Sequence, residues 1–317
     1  MDSNVDFQNL CQMIHRNINK VMIGKDTVID LLLVALAAGG HVLIEDVPGV
    51  GKTTLVSMVA NSLNLSFKRI QFTPDLMPSD IVGFNLYNQK TGLFEFQKGA
   101  VMSQIVLADE INRTSPKTQS ALLEVMQEGQ VTVDGTTYKL PAPFMVLATQ
   151  NPVEQLGTYP LPEAQLDRFM LKVNIGYPSI KEEMQILKLH MQPEIETQVS
   201  PVASVHNVLW MQNQVKKVHC APAIRQYIAM ISANTRKHPD VLLGASPRAS
   251  LMLLQASQAL ALMQGRGHVR PEDVQYLAEF VLAHRLSLRP ESKIRQIKAE
   301  DIVQDVLHNT PIPERNQ

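Results

Sequence analysis

The apolar positions of this 317-residue chain change rhythm several times. Val28 to Ala38 is an apolar run of helical length, closed by Gly39-Gly40, a natural helix stop. His41 to Ile44, "HVLI", is a short apolar run that reads as a strand, and Thr53 to Leu63 returns to a helix. Ser66 to Phe72 predicts a second strand, and Ser103 to Leu107 a third that ends in Ala108-Asp109-Glu110. Ser115 followed by Pro116 marks an N-cap and first helical position, so a helix should run to about Gln127. Phe144 to Thr149 is a further buried strand.

Two stretches alternate instead. Gly83 to Phe96 turns at Lys90-Thr91-Gly92, and Gln130 to Leu140 is centred on Asp134-Gly135, a strong hairpin signal. After Pro178 the strand signals fade. Helical periodicity takes over at Lys181–His190, Ala223–Thr235, Ser246–Met263 and Glu272–His284. The pattern predicts an α/β core with a parallel sheet over residues 1–178, carrying inserts near 83–96 and 130–140. An all-α domain follows over 179–317.

Composition narrows the class. Hydrophobic residues make up 45% and charged residues 19%, which suits a packed core. A net charge of -1 provides no general field for nucleic acid. Cys11 and Cys220 stand far apart and suggest neither a disulfide framework nor a CxxC metal site. The start, MDSNVDFQNL, has no basic segment leading into an apolar one, and the apolar run at Leu31–Ala38 falls short of a membrane span. These features predict a cytoplasmic protein.

The candidate chemistry begins at Glu45–Thr54, "EDVPGVGKTT". A phosphate-binding loop reads G-x-x-x-x-G-K-[ST], and here Asp46 takes the place of the first glycine. Strand, glycine loop and helix still follow in the required order. Val47, Pro48, Gly49, Val50, Gly51, Lys52, Thr53 and Thr54 are therefore expected to wrap a polyphosphate, with Lys52 neutralising its charge and Thr53 ligating Mg²⁺. The Asp46 side chain should turn away from the phosphates, because like charges repel. Asp109, at the end of "IVLAD", suits a second Mg²⁺ ligand, and Glu110 a base that polarises the attacking water. Asn19-Lys20 continues as Val21-Met22 rather than as the guanine-reading NKxD pattern, which favours ATP over GTP.

The ordered motifs Gly49–Thr54, Asp109-Glu110-Ile111-Asn112-Arg113, Ala148-Thr149-Gln150-Asn151-Pro152, Glu163–Phe169 and Gly244–Ala249 resemble those of AAA+ ATPases, and of the MoxR family in particular, over nearly the whole chain. The resemblance implies an AAA+ P-loop core, with residues 179–317 as a helical lid. It implies a sensor role for Asn151, an arginine finger at Arg168 that reaches a neighbour's ATP, and a second sensor at Arg248. With Ser246 as N-cap and Pro247 at the first position, Arg248 falls in the first helical turn and is expected to face bound phosphate. Val21–Lys25 resembles an adenine-contacting entry segment, and Arg113 would either touch an adjacent subunit or cap the Ser115 helix.

The implied activity is Mg²⁺-dependent ATP hydrolysis in a ring, expected as a hexamer. It would drive chaperone-like remodelling, maturation or metal insertion in partners with von Willebrand factor A domains. The two inserts would face a pore, a client or the next subunit. A DNA-directed motor is one alternative, but the hairpin offers only Lys139 against Asp134 near its tip, so nucleic acid is not expected as a partner. A non-hydrolysing nucleotide-dependent scaffold is the other.

Overall fold

The computed structural model describes residues 3–151, 158–191 and 199–313. In chain order the elements are α1 (Ser3–Ile18), α2 (Asp26–Ala38), β1 (Val42–Glu45), α3 (Lys52–Ser62), β2 (Phe67–Gln71), α4 (Pro78–Val82), β3 (Gly83–Asn88), β4 (Leu93–Lys98), β5 (Ile105–Asp109), α5 (Pro116–Glu128), β6 (Gln130–Val133) and β7 (Thr136–Lys139). There follow β8 (Met145–Gln150), α6 (Glu163–Leu166), β9 (Leu171–Val173), α7 (Ile180–His190), α8 (Val205–Val215), α9 (Pro222–Lys237), β10 (Val241–Leu243), α10 (Pro247–Met263), α11 (Pro271–Leu282), β11 (Ser287–Leu288), α12 (Pro290–Ile294) and α13 (Ala299–Asn309).

Five parallel strands form the central sheet in the order β2-β5-β8-β1-β9. Alternate side chains serve opposite faces, as the pleat requires. Val42, Ile44, Ile105, Leu107, Met145, Leu147, Leu171 and Val173 join the larger apolar core, which also takes in α1, α2, α3 and the buried faces of α8 to α11 and α13. Leu43, Val106, Ala108, Val146 and Ala148 face the second core, closed by Leu122, Leu123 and Met126 of α5. Both faces of the inner strands β1, β5 and β8 are buried, which is why they read as continuous apolar runs, whereas the edge strand β2 exposes Lys68, Arg69 and Gln71.

The two alternating stretches are hairpins, β3–β4 and β6–β7. Asp134 and Gly135 both adopt positive φ, as a two-residue turn between twisted strands demands. The hairpins meet each other: Phe96 stacks on Tyr138 at a centroid distance of 4.0 Å, and Asn85 Nδ2 donates to Asp134 Oδ2 at 2.8 Å. The C-terminal part is helical apart from the β10–β11 ribbon, whose strands are too short to leave a period-two signature in the sequence. Among the described residues no helix is long and apolar enough to cross a membrane.

Candidate active site

The glycine loop leaves β1 at Glu45 and enters α3 at Lys52. Gly49 and Gly51 have φ of 87° and 86°, a conformation that side chains with a Cβ rarely adopt. A Cβ at Gly49 would meet nothing within 4 Å, so its glycine answers to backbone shape rather than to crowding. Asp46 is buried, and its carboxylate turns away from the loop's mouth: Oδ2 accepts from Ile175 N at 2.6 Å and Gly176 N at 2.7 Å, and Oδ1 from Val47 N at 2.8 Å. Lys52 Nζ donates to the Asp46 carbonyl at 2.7 Å. Burial lowers the Lys52 pKa, while the nearby carboxylates of Asp46, Asp109 and Glu110 oppose that shift. Lysine and carboxylates therefore share one electrostatic site.

The carboxylates stand at the C-terminal ends of the strands. Asp109 Oδ1 accepts from Thr149 Oγ1 at 2.7 Å, and Oδ2 accepts from Arg69 Nη2 at 2.6 Å and Nε at 3.1 Å. Glu110 sits in the left-handed region (φ 57°, ψ 49°); its N–H donates to Thr149 Oγ1 at 2.8 Å and its Oε2 accepts from Gln71 Nε2 at 2.8 Å. Arg113 Nε also reaches Glu110 Oε2, at 3.2 Å, in an ion pair within the chain. Asn151 follows β8 directly and is buried; Pro152, the last residue of its motif, lies outside the described residues.

The oxygen donors suit a hard divalent cation. Among the described residues Asp109 Oδ1 has one protein donor, which leaves a lone pair for a cation or its water, and the Thr53 hydroxyl belongs to the first turn of α3. Beside the loop lies a cavity of about 380 Å³, lined by Val21, Met22, Ile23 and Lys25, by Gly49, Val50, Gly51 and Thr54, and by Pro178, Ile186, Leu189 and His190. Its apolar lining and size suit a planar base next to a phosphate loop. The expected entry segment thus meets the glycine loop, and α7 supplies the remaining wall.

Arg168 and Arg248 are elsewhere. Arg168 precedes β9, and its Nη1 donates to Leu123 O at 2.5 Å. Arg248 Nη2 reaches Gln127 Oε1 at 3.4 Å, beside the C-terminal end of α5. Ser246 Oγ, which caps α10, also donates to both carboxylate oxygens of Asp167 at 3.0 Å, and Arg285 Nε donates to Asp167 Oδ1 at 2.9 Å. Both arginines therefore belong to the end of the sheet where β1 and β9 begin, marked by the bond from Met170 N to His41 O at 2.7 Å. The loop belongs to the end where those strands finish. From His41 to Asp46 the chain advances about 16 Å, at roughly 3.3 Å per residue.

Arg248 therefore lies about a strand's length from the phosphate loop of its own chain. Its position in the first turn of α10 holds, but Asp167 and Arg285 tie the start of that helix to the opposite end of the sheet.

Sequence reasoning gave no part to Arg69, Gln71 or Thr149. Thr149 lies inside a recognised motif, whereas Arg69 and Gln71 come from an edge strand and reach the carboxylates only through the β2–β5 pairing, in which Gln71 is level with Asp109.

Residues 41–171 match the model of the ATPase family associated with various cellular activities (AAA), and residues 233–306 match the AAA lid domain. The chain is 54% identical to the uncharacterized protein YeaC of Bacillus subtilis, covering 94% of this chain and 93% of that one. It is 41% identical to the chaperone MoxR1 of Mycobacterium tuberculosis, over 94% of this chain and 81% of the other. A crystal structure assigned as an ATPase from Cytophaga hutchinsonii superimposes with a TM-score of 0.93 at 41% identity, covering 98% and 97% of the two chains.

Proposed function

We propose, from the premise that this chain belongs to the MoxR family of AAA+ ATPases, that it hydrolyses ATP with Mg²⁺ at a site shared between copies and uses the cycle to remodel or mature partner proteins. The observation that carries the reading is the grouping of Lys52 with Asp109 and Glu110 beside a loop that can wrap phosphate and a cavity that can take a base.

In this reading Val47 to Thr54 cradle the phosphates, and Lys52 exchanges the Asp46 carbonyl for a phosphate oxygen. Thr53 and Asp109 would hold Mg²⁺, which when bound neutralises charge between the β- and γ-phosphates. Glu110 takes up the water's proton, with its carboxylate aimed by Gln71 and its backbone by Thr149. Asn151 holds the same water from the end of β8. Arg168 and Arg248, about a strand's length from their own loop, serve the phosphate of the next copy in a ring, which we take to be a hexamer. Clients or partners with von Willebrand factor A domains, including proteins that receive a metal, fit the family's chaperone character.

The test is ATPase rate per subunit against protein concentration, with native mass followed in parallel. The rate should rise with assembly. It should vanish in Arg168→Ala while nucleotide still binds. A rate independent of both concentration and Arg168 would replace the shared site with a self-contained one.

A further inference from the structure

Asp46 departs from the strict loop pattern, yet it is not among the described residues with positive φ, so the backbone does not ask for glycine there. Its side chain is committed elsewhere. Oδ2 accepts the N–H groups of both Ile175 and Gly176, in the segment 174–179 that joins β9 to α7. Lys25 holds the same segment by its carbonyls: Nζ donates to Ile175 O at 3.0 Å, Gly176 O at 3.1 Å and Tyr177 O at 3.4 Å. Lys25 and Asp46 are both about 8% exposed, so these bonds are made away from water, where breaking one leaves a buried polar group unpaired.

Each anchor also belongs to the nucleotide site. The Asp46 carbonyl accepts from Lys52 Nζ, and Lys25 lines the base cavity. Pro178 of this segment and the α7 residues Ile186, Leu189 and His190 form the cavity's other wall. The clamp therefore ties the phosphate loop to the element that covers the base.

We propose that Asp46 is a positioning residue that latches segment 174–179 to the phosphate loop, so that a change at the loop is passed to α7. This rests on the ATPase reading above. When Lys52 leaves the Asp46 carbonyl for phosphate, the shift at residue 46 reaches Ile175 and Gly176 through a single carboxylate. Substitution by glycine restores the strict loop pattern and removes this connection, together with the Oδ1 bond from Val47 N.

The experiment is hydrogen exchange over peptides covering 174–179 in the full chain, with and without MgADP, alongside kcat and KM for ATP. In the native chain MgADP should slow exchange there about fivefold. Asp46→Gly should bind MgADP within about threefold of native, show a response below about twofold, and lose about tenfold in kcat at little-changed KM. Asp46→Asn should restore more of the response than Asp46→Gly, because one amide oxygen can take both linker N–H groups as Oδ2 does now, although its NH2 cannot accept from Val47 N as Oδ1 does.

An undiminished response and kcat in Asp46→Gly overturns the latch. So does a fall of about a hundredfold in MgADP affinity, which would make Asp46 part of the cradle's own shape. If Asp46→Gly does not fold, Asp46→Ala decides, since residue 46 does not need a glycine backbone: a lost response supports the latch and a retained one overturns it. A native chain that binds MgADP without slowing exchange overturns the latch alone. A native chain that binds no MgADP overturns the ATPase reading, and the latch with it.

Discussion

The two ends of the central sheet are built differently. At the C-terminal end the functional groups come from stretches that are short in sequence, and several remain partly open to solvent. Lys52 is half-buried, Arg69 is 48% exposed, and the Asp109 and Glu110 carboxylates are held by partners that could exchange for a ligand. At the opposite end the chemistry is sunk into the fold. Arg285 is buried, pairs with Asp167, donates to the carbonyls of Phe169 and Val281, and has its pKa lowered to about 10 by burial. His284 and His41 are buried there and pushed toward the neutral form. One end can rearrange around a ligand, while the other is a fixed platform from which Arg168 and Arg248 are presented.

The contrast can be broken most sharply at the platform. Arg168→Ala should cost about 10³-fold or more in kcat while leaving MgADP binding intact, since an arginine finger acts only on the transition state. Calorimetric titration and steady-state turnover on the same preparation would separate the two effects. Glu110→Gln should cost about 10²–10³-fold, within the range for a lost general base. Mixing these two inactive proteins is the sharper test. Sites that combine the Glu110 of one with the Arg168 of the other should restore turnover, and no recovery in co-assembled mixtures would argue that both residues serve a single chain.

Arg248→Ala should cost about 10- to 100-fold, as one donor among several. The last effect is one of stability rather than rate. Neutral His41 uses both nitrogens: Nε2 donates to Met126 O at 3.1 Å and Nδ1 accepts from Val146 N at 3.0 Å. A proton on Nδ1 would oppose that second bond, and burial already holds the folded pKa at about 4, below the usual 6.5. Above pH 6.5 neither state is charged and this group has no influence. As pH falls from 6.5 to about 4 the unfolded chain takes up the proton first, so stability should drop, by up to about 3 kcal/mol. Urea midpoints across that range, steeper in the native chain than in His41→Leu, would show it.

The contrast also explains what was legible. The glycine loop, the "IVLADE" strand and the Asp134-Gly135 turn are local signals, and each predicted element lies within a few residues of its observed position. Helix α1 carries an equally local pattern, with Phe7, Cys11, Ile14 and Ile18 buried on one face, but without a motif it drew no attention. The partners of Asp46 lie 129 and 130 positions away, and those of Asp167 lie 79 and 118 away. Pairings of that span are set by tertiary packing and leave no trace in spacing. This is why the turn position of Arg248 could be read from Ser246 and Pro247, while the direction it faces could not.

On the proposed shared-site reading, complementary half-sites at opposite ends of one sheet have a consequence for counting. Two copies joined through these ends bury unlike surfaces, so each added copy leaves one loop and one arginine end free. An open chain of n copies holds n − 1 complete sites, and only closure supplies the last. A sub-stoichiometric plateau in nucleotide turnover per subunit would therefore report an unclosed assembly, and its rise to full occupancy would mark the moment of closure.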